Sequence, residues 1–323
     1  MPRVSNGNEK DLRAMATTLI DGGLVAIPTE TVYGLAANAM NESAVQRLYK
    51  VKGRPKNHPV IVHLSKIDLL DFWAIEIPNV AKTLITNFWP GPLTLILKRS
   101  KNAGNWITGS QESVGLRMPK NQSTLLLLQS FHQIGGKGLA APSANKFGMV
   151  SPTCLNDVIT DIGNELNDSD WILDGGSCEI GIESTIVDCT QDIPIILRPG
   201  AVSKEMIESI SGIGEIDGYM KPTKSAIRSP GSLSKHYSPK AEVRIAIDCK
   251  PGEGFIAMNY IPSPKGSIRL ASPQTLEDFA KYLYSSLRKA DEMAINSVVI
   301  VPPKGNGLAE AIQNRVYRSA GSP

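Results

Sequence analysis

A chain of 323 residues, 41% hydrophobic and 20% charged, is composed like an ordinary soluble globular protein and is long enough for two hydrophobic cores. Its formal net charge of +3 neither demands nor forbids nucleic acid; residues 1–10 lack the apolar stretch of a signal peptide and the longest aliphatic run, 125–128, cannot span a bilayer, so a cytoplasmic protein without membrane contact is expected. The four cysteines (Cys154, Cys178, Cys189, Cys249) form no C-x-x-C pair and the four histidines no zinc spacing, which leaves buried, reduced thiols and no metal held by the protein.

Residues 10–20 place Leu12, Met15, Ala16 and Leu19 at helical spacing, and Gly22-Gly23 ends the run. A buried strand at 24–27 then enters the loop Pro28-Thr29-Glu30-Thr31-Val32-Tyr33-Gly34-Leu35. Polar groups just past a strand end sit where α/β sheets bind ligands, although turn and cap chemistry uses the same residue types. A helix at 43–51 leads into the basic loop Lys52-Gly53-Arg54-Pro55-Lys56-Asn57-His58-Pro59 and a strand at 59–64 that ends near His63.

A helix at 79–88 stops at Trp89-Pro90-Gly91-Pro92, and the strand at 93–97 is aliphatic enough to be central. In the strand at 113–119 Arg117 interrupts an apolar pattern and needs an anion, either an internal carboxylate or a ligand. An apolar helix at 124–131 precedes the small residues of 139–145, which end in Ser143 and Asn145. Strands at 171–173, 184–188 and 193–197 follow, with Arg198 at the last strand's exit, and a capped helix at 203–210 closes a first domain. The Gly, Pro, Ser and Lys content of 216–240 marks a linker. Strands at 243–247, 254–258, 267–270 and 297–301 with helices at 275–293 and 308–318 then make a small α/β domain with no chemistry assigned to it.

The charge is not spread evenly. Residues 43–156 hold 14 Lys+Arg against 4 Asp+Glu, a net +10, so the rest of the chain sums to −7. Such asymmetry indicates a local positive field of the sort that draws in polyphosphate or nucleic acid, or else a solvated face. Neither a Walker A loop nor a dinucleotide fingerprint is present. The cationic and small polar groups Lys52, Arg54, His58, Arg117, Ser143, Asn145 and Arg198 all stand at loops or strand ends. They suit phosphoryl or nucleotidyl transfer by positioning and charge neutralisation rather than by a protein nucleophile.

Five blocks, P-T-E-T-V-Y-G-L at 28–35, K-G-R-P...H-P at 52–59, A-P-S-A-N at 141–145, L-R-P-G at 197–200 and S-P-G...K-H-Y-S-P at 229–239, occur in one order over essentially the full length. Together they resemble the two-domain, YrdC-type threonylcarbamoyl-AMP synthases. The resemblance implies an α/β (α+β) fold: an N-terminal YrdC-like domain over 1–215, a twisted mixed sheet around a deep positive cavity; a linker at 216–240 over the active site; and a smaller C-terminal Rossmann-like α/β domain at 241–323. It implies that L-threonine, bicarbonate and ATP give threonylcarbamoyl-AMP and pyrophosphate for tRNA modification, with Mg2+ held mainly by the phosphates and the product passed to tRNA threonylcarbamoyl-transfer proteins.

Matched residue by residue, the resemblance assigns Arg54, His58, Ser113, Ser143, Asn145, Ser151, Arg198 and Tyr237 to ATP. It assigns Thr31, His63, Arg117, Ala141 and Ser184 to L-threonine, and makes Lys52 and Arg54 catalytic. The alternative is an RNA-binding module in which the basic region tracks a phosphate backbone; 50–66 lacks the interleaved aromatics expected of one.

Overall fold

The computed structural model describes residues 1–211, 213–214, 216–218, 228 and 236–321; most of the expected linker, including 229–235 of its motif, lies outside them. The chain is a mixed α/β protein with two sheets. The first holds β1 (Arg3–Ser5), β2 (Val25–Ile27), β3 (Gly34–Asn38), β4 (Ile61–His63), β5 (Leu93–Lys98), β6 (Ser113–Arg117), β7 (Leu139–Ala140), β8 (Trp171–Leu173), β9 (Thr185–Asp188) and β10 (Ile195–Arg198), in the order β1-β8-β2-β3-β7-β4-β6-β5-β9-β10. Helices α1 (Glu9–Ile20), α2 (Glu42–Lys52), α3 (Leu70–Trp73), α4 (Asn79–Phe88), α5 (Asn105–Thr108), α6 (Gln122–Gln133), α7 (Leu155–Ile162) and α8 (Lys204–Glu208) accompany it. The second sheet is all parallel, β11 (Glu242–Ile245), β14 (Ser297–Ile300), β12 (Gly254–Ile256) and β13 (Ile268–Ala271) in spatial order, with α9 (Leu276–Glu292) and α10 (Leu308–Ser319).

Strand alternation explains the layering of the large sheet. On β2, Val25 and Ile27 join the cluster of α1 and α6, whereas Leu24 and Ala26 join the larger core of α2 and α4. Further along, β4, β5 and β6 turn Val62, Leu95, Leu97, Val114 and Leu116 into that larger core. Their opposite face carries Ile61, Ile96 and Ile186, a small apolar group that becomes the base of the site.

Several strands depart from sequence expectation. β3 continues from a stretch read as loop, and β1 pairs in parallel with β8 although its three residues show no apolar alternation. β4 begins at Ile61 because Pro59 has no N–H to give a ladder. β10 includes Arg198, which therefore ends the strand rather than following it. Among the described residues, no helix is long and apolar enough to cross a membrane.

One buried carboxylate ties α2 to the strands. Asp170 Oδ1 accepts from the Leu24 amide and Arg47 Nη1, both at 2.8 Å, while Oδ2 accepts from the Asn167 amide at 2.7 Å and from Arg47 Nη2. Removing one partner of a buried pair leaves the other charge uncompensated. Asp170→Ala should lower the unfolding free energy by about 3–5 kcal/mol in urea titration, with the slope of the transition unchanged.

Candidate active site

Parity of the strands places the floor. Residues two apart share a face, so the face bearing Ile61, Ile96 and Ile186 also presents His63, Thr94, Arg117 and Ser184. Parallel pairing of β4 with β6 sets His63 beside Arg117. The loop after β2 brings Thr31 onto the same spot, where its Oγ1 accepts from Arg117 Nη1 at 3.0 Å. Arg117 also donates from Nε to the Gly91 carbonyl at 3.1 Å and from Nη2 to Glu30 Oε1 at 2.6 Å, so the first of the two anion partners expected for it, an internal carboxylate, is present. Among the described residues three of its five N–H groups are thus used, leaving one on each Nη.

The walls come from loops. Lys52 closes α2, whose C-cap Gly53 takes the left-handed conformation, φ 63°. Its Nζ donates to the carbonyls of Ser143 and Asn145, joining the basic loop to the small-residue block. Arg54 Nη2 donates to the Pro59 carbonyl at 2.7 Å, and the guanidinium stands 5.4 Å from the Phe147 ring; its Nη1 has no protein partner among the described residues. Arg198 bonds the Ser184 carbonyl at 3.0 Å and its hydroxyl at 3.1 Å. Gly200 permits this corner, since a Cβ there would sit 2.4 Å from the Thr185 amide nitrogen. His236 and Tyr237 also line the hollow, their rings 4.1 Å apart and edge to face.

Four cations therefore converge with almost no exposure: Lys52 2%, Arg54 8%, Arg117 4% and Arg198 5%. Burial, then the neighbouring Arg54 charge, drives the Lys52 ammonium well below its ordinary pKa. Burial also lowers Arg54 to about 10. His63 is pushed down to about 3 by burial and then by Arg117, so it is neutral, and its Nδ1 has no partner among the described residues. Glu183 is the one carboxylate on the lining among the described residues. Burial pushes it up, but Arg315 and Arg198 with bonds from Ser151 and Arg315 outweigh that and hold it at about 2.

Eleven of the sequence-predicted residues share this hollow: Thr31, Lys52, Arg54, His63, Arg117, Ala141, Ser143, Asn145, Ser184, Arg198 and Tyr237. Three do not line it. His58 lies behind, its ring 5.2 Å from that of Phe147; Ser151 supports Glu183 with a 2.6 Å bond; Ser113 shares the floor's face but pairs with Lys98 at the far end of β6. Sequence reasoning missed Glu183, Phe147 and, from the small domain, Tyr284 and Arg315. The signal for Arg315 was its place in the buried stripe Ile312, Arg315, Val316, Ser319, at i, i+3, i+4, i+7.

A mixed sheet carrying several buried cations beside one lining carboxylate among the described residues defines an α/β protein with a strongly positive hollow. Residues 17–200 match a family model described as "Telomere recombination", and residues 202–321 match "Threonylcarbamoyl-AMP synthase, C-terminal domain". The threonylcarbamoyl-AMP synthase of Pyrococcus abyssi is 36% identical over 97% of this chain and 95% of its own, and that of Bacillus subtilis 34% identical over 97% and 94%. The crystal structure of P. abyssi Sua5 complexed with L-threonine superposes with a TM-score of 0.89 at 33% identity, covering 99% of this chain and 97% of that one. The chain belongs to the threonylcarbamoyl-AMP synthase family, and it is an enzyme.

Clustered, desolvated cations repel one another, and a bound polyanion relieves that repulsion. Tripolyphosphate, which has neither base nor sugar, should raise the melting temperature by about 5 °C at a hundredfold excess over its Kd. Arg54→Met should lose most of this rise in scanning fluorimetry; an undiminished response would count against a phosphate-facing Arg54.

Proposed function

We infer that the protein condenses L-threonine, bicarbonate and ATP into threonylcarbamoyl-AMP and pyrophosphate, and is thereby a nucleotidyltransferase. The observation that carries this reading is the convergence of Lys52, Arg54, Arg117 and Arg198 on one buried hollow floored by Thr31, His63 and Ser184. A nucleic-acid backbone cannot reach cations so deeply enclosed, which disfavours an RNA-binding module. We assign the chemistry to 1–215, a covering role to 216–240 and a supporting role to 241–323.

The remaining Nη hydrogens of Arg117 suit a carboxylate gripped end-on, with Thr31, His63, Ala141 and Ser184 around the amino acid. Arg54 and Arg198 balance the triphosphate, Ser143, Asn145 and Tyr237 line its seat, and His58, Ser113 and Ser151 act from behind or at the rim. Mg2+ accompanying ATP would be carried by phosphate and water, because Glu183, the one lining carboxylate among the described residues, already accepts from Ser151, Tyr284 and Arg315 and has no second carboxylate beside it on the lining to build a metal cage.

In the reaction, the threonine amine takes up bicarbonate as a carbamate with loss of water. A carbamate oxygen then attacks the α-phosphorus in line, the bond from that phosphorus to the bridging oxygen breaks, and pyrophosphate leaves. No side chain becomes covalent; Lys52 and Arg54 offset the charge on the phosphates as it shifts. The carbamate hydrolyses in water, so closure of the hollow by His236 and Tyr237 has a chemical purpose. The labile product then goes to the proteins that transfer it to tRNA.

Pyrophosphate release from ATP should require both L-threonine and bicarbonate; release indifferent to threonine would discard the assignment. Thr31→Val, which removes one hydroxyl from the floor, should raise KM for threonine about tenfold while leaving that for ATP within about twofold. Equal loss for both substrates would show that Thr31 does not belong to the amino-acid side.

A further inference from the structure

We propose that Arg315, on the last helix of the small domain, is a positioning residue for the active site. It fixes Glu183, and through Glu183 the Ser151 hydroxyl and the Ser184–Arg198 corner of the hollow. The proposal rests on the activity inferred above and assigns the small domain a part in it.

The geometry is specific. Arg315 is fully buried; its Nε donates to Glu183 Oε2 at 2.9 Å, Nη2 to the Glu183 carbonyl at 3.1 Å, and Nη1 to the Pro199 carbonyl at 2.7 Å and Asn314 Oδ1 at 3.1 Å. The guanidinium also stands 5.6 Å from the Tyr237 ring. One side chain thus touches the residue before Ser184, the residue after Arg198, and Tyr237.

Docking alone does not need this pair. Val32, Val150 and Ile182 already share an apolar cluster with Phe279, Ala280 and Leu283 of the small domain. Arg288 on α9 clamps Asp161 with two bonds, 2.9 and 2.6 Å, and the Val150 carbonyl as well. A charge pair taken wholly out of water adds little to docking that apolar contact would not add. Its place on the pocket wall makes orientation the better account.

Glu183 is faced by Arg315 from α10, Tyr284 from α9 with its hydroxyl donating at 3.0 Å, Ser151, Arg198 on β10, His236 and Tyr237. Arg315 is the strongest of the influences that keep this carboxylate ionised against burial. Without Arg315, burial raises the Glu183 carboxyl, and protonation turns one of its oxygens into a donor and removes the charge that strengthens its bonds from Ser151 and Tyr284. In the wild type the group stays ionised across the working range, so the defect of a variant deepens as pH falls and recedes as pH rises.

The test follows threonine-dependent pyrophosphate release between about pH 5.5 and pH 9 for the full-length protein. Arg315→Met should lose about tenfold or more in kcat/KM for ATP at the acid end and recover much of it at the alkaline end. Adding Glu183→Gln to that variant should abolish the pH dependence and leave a constant loss. Arg315→Lys, which keeps the charge, should show the same limb in smaller measure, and it carries the test if Arg315→Met does not fold. Arg288→Met, the docking control, should lower the melting temperature without changing the shape of the profile.

A wild-type-shaped profile with uniform loss in Arg315→Met, or wild-type kinetics in Arg315→Lys, would overturn the proposal. Should the wild type release no threonine-dependent pyrophosphate, the functional reading fails instead. The pH dependence of tripolyphosphate-induced stabilisation in the same variants then decides the role of Arg315, with an unaltered dependence counting against it.

Discussion

Like charges removed from water repel strongly, and the hollow in this protein gathers Lys52, Arg54, Arg117 and Arg198 against one lining carboxylate among the described residues. Much of the surrounding structure serves to hold them there. Lys52 rests on two carbonyls, Arg117 on Glu30, Thr31 and Gly91, Arg54 on the carbonyl of Pro59 in its own loop, and Arg198 on Ser184. Neutral carbonyls fix Lys52 and Arg54 in direction and leave much of their charge for a ligand, whereas Arg117 shares its charge with Glu30.

The same economy explains the division between the sheets. The larger core needs only one face of β4, β5, β6 and β9, which frees the other face for His63, Thr94, Arg117 and Ser184. The small domain covers what that face leaves open. Its apolar cluster takes in Val32, Val150 and Ile182, and its Arg315 reaches the wall beside Ser184.

What could be read from the chain depended on how local the physics was. The helix expected at 275–293 is observed as Leu276–Glu292 with Thr275 as its N-cap, because spacing and cap are both encoded within a few residues. The cations of the basic loop, and Arg117 breaking an apolar strand, were visible as residues that needed a partner. Which partner they found was not, since Arg117 meets Glu30 and Arg315 meets Glu183 across 87 and 132 positions of sequence. A helical stripe that contains an arginine tells that the arginine is covered, without telling by what. Ser113 illustrates the converse: it shares parity with Arg117, yet lies too far along β6 to reach the hollow.

Strand parity carries an evolutionary consequence. Deleting a single residue from β6 ahead of Arg117 would exchange the environments of Leu116 and Arg117, sending a guanidinium into the packed aliphatic interior and a leucine toward the ligand. An insertion or deletion within β4 or β6 that no bulge absorbs is therefore costly, whereas the connections between strands can change length without reversing either face.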